Sequence, residues 1–153
     1  DSGPIVTIRN ILVVCIGNIC RSPMAEGLLA AALPDAQVAS AGLAAMVGEP
    51  ADEIARDLMR QHGISIESHR AKQIGLDACQ RADLILVMDG KQRRSVEERY
   101  LFAAGKVFRL CEFSDQDVPD PYGAGRASFE RALTLIEDGT QQWVQRISRV
   151  SSR

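Results

Sequence analysis

Cys15 and Arg21 are separated by five residues, with Gly17 and Asn18 between them and Ser22-Pro23 following. If the intervening chain curls into a loop, a thiol and a guanidinium at this spacing converge on one tetrahedral oxyanion. Backbone N–H groups from Ile16 to Arg21 then point inward, and a helix starting near Ser22 adds about half a positive charge at its N-terminus. The Ser22 hydroxyl supplies one more hydrogen-bond donor. Each of these groups favours the thiolate, the form in which cysteine attacks. The planar fork of Arg21 suits two equatorial phosphate oxygens, while Ile16, Gly17, Asn18, Ile19, Cys20 and Ser22 bind the rest. Gly17 and Asn18 are the residues that best tolerate the left-handed backbone such a turn requires. The chemistry indicated is phosphoryl transfer to Cys15. It calls for no metal and no other cofactor: no two cysteines have Cys-x₂-Cys spacing, and the chain has two histidines.

Transfer to sulfur also needs a proton donor for the leaving oxygen. Asp120-Pro121-Tyr122 supplies one late in the chain, in a segment between the last apolar run and a final helical pattern. Proline restricts Asp120 toward extended backbone and stiffens the loop. Asp120 would protonate the leaving group and then act as base on the water that hydrolyses the cysteinyl-phosphate. Asp115 and Asp117 are alternatives by proximity, and the following Pro-Tyr favours Asp120. Tyr122 is expected beside the pocket.

The elements that must position these groups follow from periodicity. Ile8 and Ile11–Val14, Val38–Ala41, Leu84–Met88 and Val107–Leu110 read as strands, the third a continuous apolar run typical of a central parallel strand. Ser22 as N-cap and Pro23 at the first position start a helix with Met24, Leu28, Leu29 and Ala32 as its buried stripe. Further helices are expected over Asp52–Gln61, Gln73–Arg81 and Lys91–Tyr100. A long amphipathic C-terminal helix runs through Phe129, Ile136 and Ile147, with Gly139 a weak point. Strands alternating with helices predict an α/β fold. It is a single-domain three-layer sandwich whose four-stranded parallel sheet is flanked by helices, Rossmann-like or flavodoxin-like. In such sheets ligands sit beyond the carboxyl ends of the strands, where Cys15 falls.

Bulk properties fit one ordinary globular domain over residues 8–150, with 1–7 read as a tail outside it. The 153 residues are 46% hydrophobic and 25% charged, and the net charge of −2 gives no reason to expect nucleic acid or an anionic membrane as partner. No stretch approaches the roughly 18 uncharged apolar residues of a membrane helix, and Asp1-Ser2-Gly3-Pro4 does not resemble a signal peptide. A chain of this size does not need its four cysteines as a disulfide framework, so a reducing, cytoplasmic setting is expected. Cys79 and Cys111 read as packed thiols, His62 as a helix-end residue, and the Lys91–Arg99 charges as a solvated helix face.

Cys15–Pro23 together with Asp120-Pro121-Tyr122 roughly a hundred residues later resembles the low-molecular-weight protein tyrosine phosphatases. Ser40-Ala41-Gly42, Gly48–Asp52, Ser68–Ile74 and Asp83–Asp89 fall in the same family order, so the likeness covers nearly the whole chain from Ile11. It implies Cys15 as nucleophile, Arg21 as phosphate clamp, Ser22 as the hydroxyl that helps the thiol leave, and Asp120 as general acid and base. It also implies Asn18, Ser40 and His69 as a buried network supporting the loop, and Cys20 as a redox partner able to form a reversible disulfide with Cys15. In place of the aromatic wall of eukaryotic members the chain carries Leu43-Ala44-Ala45-Met46-Val47, and Gly123 follows Tyr122. That wording resembles bacterial members paired with tyrosine autokinases of capsule or exopolysaccharide export. The implied partner is a tyrosine-phosphorylated protein, a membrane tyrosine autokinase. The substrate pocket is expected from Ile16, Ile19, Leu43 or Met46, and Tyr122.

Three alternatives share the loop. Protein-arginine phosphatases tend to carry a threonine where Ile19 stands, and an apolar residue there favours a flat aryl ester over a guanidinium. Arsenate reductases of this fold need two further, closely spaced cysteines, whereas Cys79 and Cys111 lie far apart. A catalytically silent phosphopeptide-binding module has no use for the full set of nucleophile, arginine, serine and aspartate.

Overall fold

Residues of the apolar runs alternate between two buried faces. Ile11 and Val13 point to one side of the sheet, Leu12 and Val14 to the other, and all four are buried. A strand with no wet face must lie in the middle of a sheet covered on both sides, as parallel sheets are. The computed structural model describes residues 7–151, with side chains described as far as Ser148. The tail expected over residues 1–7 lies outside that range except for Thr7, which is exposed.

The strands are β1 (Asn10–Cys15), β2 (Gln37–Gly42), β3 (Leu84–Val87) and β4 (Val107–Arg109), all parallel and in the order β2-β1-β3-β4. Val14 lies beside Ala41 on one flank and Val87 on the other. The helices are α1 (Arg21–Ala32), α2 (Glu53–Gln61), α3 (Leu76–Arg81), α4 (Gly90–Arg99) and α5 (Arg126–Ser151), with short 3₁₀ turns at Leu101–Lys106 and Glu112–Ser114. One face of the sheet packs on Met24, Leu29, Leu58, Met59, Phe129 and Ile136, from α1, α2 and α5. The other packs on Cys79 and Val96, from α3 and α4, with Ile74 and Ala103. After β1 the chain goes to β2 on one side, then crosses to β3 on the other. That reversal opens a crevice at the carboxyl ends of β1 and β3, the usual ligand site of this architecture. Among the described residues no helix is long and apolar enough to cross a membrane.

Several boundaries differ from expectation. α1 begins at Arg21 with Cys20 at the N-cap and no side-chain cap, so Ser22 lies within the first turn and Pro23 at its third position. Proline is still harmless there, because the first four N–H groups of a helix have no intrahelical acceptor. Met24, Ala25 and Leu29 form the buried stripe, Leu28 is half-buried, and Ala32 is exposed. Gln73 stands outside α3 because its backbone bridges to Gly42. That bridge extends the sheet edge and delays the helix to Leu76.

Gly139 does not weaken α5, which is continuous across it. A Cβ there would stand 2.7 Å from the Leu110 carbonyl oxygen and 2.9 Å from the Cys111 sulfur. Glycine is what lets the helix lie against the end of β4. Alanine is the better helix former by about 1 kcal/mol, yet Gly139→Ala is expected to destabilise the protein by about 1–3 kcal/mol through overpacking. Urea unfolding of the two proteins tests the sign.

Candidate active site

The loop from Cys15 to Arg21 is held from outside, carbonyl by carbonyl. The Cys15, Ile16 and Gly17 carbonyls accept the N–H groups of Leu43, Ala44 and Met46 at 2.9, 3.0 and 3.0 Å. The Ile19 carbonyl accepts the Asp52 N–H at 2.8 Å. The Asn18 carbonyl accepts His69 Nε2–H at 2.7 Å, which also sets the imidazole tautomer. In a trans peptide the N–H of the next residue points opposite to the carbonyl. With the carbonyls of Cys15 to Ile19 turned outward, the N–H groups of Ile16, Gly17, Asn18, Ile19 and Cys20 turn inward. They form an anion nest at the head of α1.

Asn18 is the pivot. It is fully buried and takes the left-handed backbone the loop requires, φ +60°; Gly17 is not left-handed. Its side-chain amide donates to Ser22 Oγ at 2.7 Å and to Ser40 Oγ at 3.0 Å, and its Oδ1 accepts the Lys72 N–H at 2.9 Å. An amide NH₂ only donates, so both hydroxyls accept from it and must aim their own protons elsewhere. Ser40 donates to Glu26 Oε1 at 2.5 Å. Ser22 donates to Cys15 Sγ, 2.9 Å away. The Ser22 proton is thereby directed at the sulfur, as a nucleophilic or departing thiolate requires. Glu26 also stands 3.8 Å from His69 Nδ1, beyond hydrogen-bond distance. Gly42, at the end of β2, has no room for a Cβ, which would collide with the Ile16 carbonyl. The sheet thus presses directly on the loop.

Arg21 is 3% exposed. Its Nη1 donates to the Val118 carbonyl at 2.8 Å and stands 3.8 Å from Asp89 Oδ2, while its Nη2 stands 3.8 Å from Asp120 Oδ2. Its Nε is buried without a hydrogen-bond partner. Leaving such a donor unpaired costs on the order of 1–3 kcal/mol, and a bound oxyanion would relieve it. Cys15, Ile16, Gly17, Ile19, Cys20, Arg21, Ala44, Met46, Asp120 and Tyr122 together line one hollow of about 190 Å³. A larger hollow of about 670 Å³ around Arg9, Pro34 and Ile147 lies before the amino ends of β1 and β2, away from the strand carboxyl ends.

Of the three candidate aspartates, only Asp120 lines the hollow; Asp115 and Asp117 are paired with Arg109 instead. Asp120 is about half exposed, and its Oδ1 accepts the Tyr122 N–H at 3.1 Å. Leu43 is not a pocket wall: its side chain is buried in the core beneath α3 and α4. Past the end of β2 Leu43 turns inward, while Ala44 and Met46 are exposed and line the hollow together with Tyr122. Burial, reinforced by Asp52, Asp120 and Cys15, pushes the Cys20 thiol far up, so it stays protonated. All four cysteines are free. Glu26, Asp89 and the Val118 carbonyl were not assigned roles by sequence reasoning. Asp89 was detectable, since it follows the third apolar strand at its carboxyl end. A backbone carbonyl such as that of Val118 leaves no trace in a pattern of side chains.

The model of the family described as low molecular weight phosphotyrosine protein phosphatase matches residues 10–153. A probable low molecular weight protein-tyrosine-phosphatase, EpsP of Ralstonia solanacearum, is 52% identical over 140 residues, which are 92% of this chain and 97% of that relative. The crystal structure of the Erwinia amylovora tyrosine phosphatase amsI superposes with a TM-score of 0.90 at 44% identity, covering 94% of this chain and 95% of that one. The YwlE arginine phosphatase of Geobacillus stearothermophilus has the same fold, with a TM-score of 0.87 at 31% identity over 92% of this chain and 94% of its own. The fold alone therefore does not choose between a phosphoester of tyrosine and the P–N bond of phosphoarginine.

Replacing Asn18 strands two hydroxyls and the Lys72 N–H and puts a residue without a compensating amide into left-handed backbone. Asn18→Ala is expected to lower stability by roughly 2–4 kcal/mol. It should also weaken the rise in melting temperature that inorganic phosphate or vanadate gives the parent protein. Thermal unfolding with and without the anion reads both effects.

Proposed function

The chain belongs to the low molecular weight phosphotyrosine protein phosphatase family, and from that premise we propose how its own residues hydrolyse phosphotyrosine in proteins. The observation that carries the reading is that Cys15, with the Ser22 proton aimed at its sulfur, shares one hollow with the inward-facing amide nest and with Arg21, whose Nε has no hydrogen-bond partner. A phosphate dianion seated in the nest has phosphorus in front of the sulfur. Cys15 attacks as the thiolate, the P–O bond to the tyrosyl oxygen breaks, and Asp120 gives that oxygen its proton. Charge on the equatorial oxygens is met by the nest and by Arg21, whose groups are already in place and need no reorganisation. In the second step Asp120, now a carboxylate, takes a proton from water. The water oxygen attacks phosphorus and the sulfur departs as thiolate toward the Ser22 hydroxyl. Phosphate is released and the enzyme is restored.

Ile16, Ile19, Met46 and Tyr122 line the same hollow as Cys15 and Arg21, which supports their receiving the substrate ring. The thioether of Met46 suits the edge of an aromatic ring. Ile19 supports tyrosine over arginine: a phosphoguanidine leaves N–H groups in need of acceptors, and a sec-butyl side chain offers none. The partner follows as a tyrosine-phosphorylated protein, and we assign it as a membrane tyrosine autokinase of polysaccharide export, met on the cytoplasmic side. The resemblance of the Leu43–Val47 segment to bacterial members supports that choice. Cys20 lines the same hollow as Cys15, which supports its capture of a peroxide-oxidised Cys15 as a disulfide with loss of water.

Turnover of phosphotyrosine and phosphoarginine peptides, measured without metal and with reductant, tests the reading. Phosphotyrosine is expected to be hydrolysed and phosphoarginine not. Cys15→Ser should lose at least about a thousandfold in kcat while still binding vanadate or phosphate. Activity on phosphoarginine alone would mean that Ile19 does not select the ring.

A further inference from the structure

Arg109 ends β4 and lies outside the hollow, yet it is tied to the segment that carries the general acid. Its guanidinium is 17% exposed and gathers three carboxylates: Asp115 at 2.6 Å, Asp117 at 3.2 Å and Glu112 at 3.5 Å. These pairs push the guanidinium still further from deprotonation, the Asp115 hydrogen bond most of all. Asp117 is held a second time, because the same Oδ1 accepts the Gly90 N–H at 3.3 Å where α4 begins. The adjacent Val118 donates its N–H to the Met88 carbonyl at 2.9 Å and gives its own carbonyl to Arg21. The chain from Asp117 to Asp120 therefore runs from one arginine to the other. Farther back, Phe113 packs 4.7 Å from the Trp143 ring and 3.5 Å beneath the Arg146 guanidinium. Past Val118 the residues to Gly125 are exposed except Pro121. Arg109 is thus the charged anchor of the segment that leads from β4 through Asp117 and Val118 to Asp120.

We propose that Arg109 is a positioning residue for the general acid, setting through Asp117 and Val118 where Asp120 stands relative to Cys15 and Arg21. The inference rests on the phosphatase reading above. Its physical basis is twofold. Glu112, Asp115, Asp117 and Asp120 crowd one short segment, and their mutual repulsion acts within a Debye length of about 8–10 Å. Arg109 pairs with three of the four, sharing Glu112 with Arg93 and holding Asp115 and Asp117 itself. A guanidinium also fixes the direction of the carboxylates it binds, which a point charge does not. A displacement of about 1 Å at a reacting group is enough to cost on the order of a hundredfold in rate. A residue acting this way should matter most when the leaving oxygen needs a proton. It should matter little when the leaving group departs unaided.

The test compares kcat/KM, which covers the steps up to leaving-group departure, for phosphotyrosine and for 2,4-dinitrophenyl phosphate. Arg109→Ala is expected to lose about tenfold or more on phosphotyrosine and less than about threefold on the activated ester, a part of the roughly 10²–10⁴ that a general acid supplies. Arg109→Lys should fall between parent and Arg109→Ala on phosphotyrosine. In an Asp120→Asn background, Arg109→Ala should cause no further selective loss, because nothing remains for it to position. Should Arg109→Ala fail to fold, Asp117→Ala cuts the other end of the same bridge and is read by the same ratio. Equal losses on both esters, no loss on either, or a selective loss that persists without the Asp120 carboxylate would overturn the role of Arg109. A parent protein that hydrolyses neither ester would instead overturn the phosphatase reading, and this inference with it.

Discussion

The left-handed turn at Asn18 is the constraint on which the rest of the structure depends. A strand that must reverse into a helix within five residues, with every N–H facing one point, has no regular backbone available to it. The peptide carbonyls must all face away, and each needs a donor supplied by some other part of the molecule. Leu43, Ala44 and Met46 from the segment just past β2, Asp52 from the cap of α2, and His69 from the loop before α3 supply them. The polypeptide from β2 to α3 wraps around the loop as a collar. Its register is pinned to β1 through β2 and through the Gly42–Gln73 bridge. The hydrophobic sheet and the polar nest are therefore mechanically one object.

Polarity inside the loop is ordered by a simple rule of donors and acceptors. Asn18 contributes two protons and no choice, so Ser22 and Ser40 each point a proton onward, one to Cys15 and one to Glu26. Directed hydroxyls in a buried network cost no reorganisation at the moment sulfur becomes or ceases to be charged. The same economy explains Arg21, whose guanidinium is buried but incompletely satisfied. A fully paired arginine would be more stable and less useful, since the pairs would have to be broken to admit an anion.

The two cysteines of the loop show how environment separates identical groups. Cys15 faces the Ser22 hydroxyl. Cys20, five residues on, is buried near Asp52 and Asp120 and stays a thiol. Desolvation and neighbouring anions both act against ionising the second sulfur, so at rest the loop keeps Cys20 as a neutral thiol beside Cys15.

Some of this protein was determined by local sequence alone. The Cys15–Arg21 spacing, the left-handed tolerance of Asn18 and the apolar runs before and after the loop are short-range facts, and short-range physics reads them correctly. So is the alternation of strands and helices that dictates a parallel sheet, with Cys15 at the carboxyl end of a central strand. Other features were decided only when distant segments met. Asp120 differs from Asp115 and Asp117 not in its type but in that Arg109 claims the other two. Met46 rather than Leu43 forms the pocket wall because the turn after β2 sends Leu43 into the core. Gly139 looks like a defect in a helix until Leu110 and Cys111 are seen lying against it. In each case the side chain's role depends on which remote group occupies the space beside it, and a linear pattern holds no record of that.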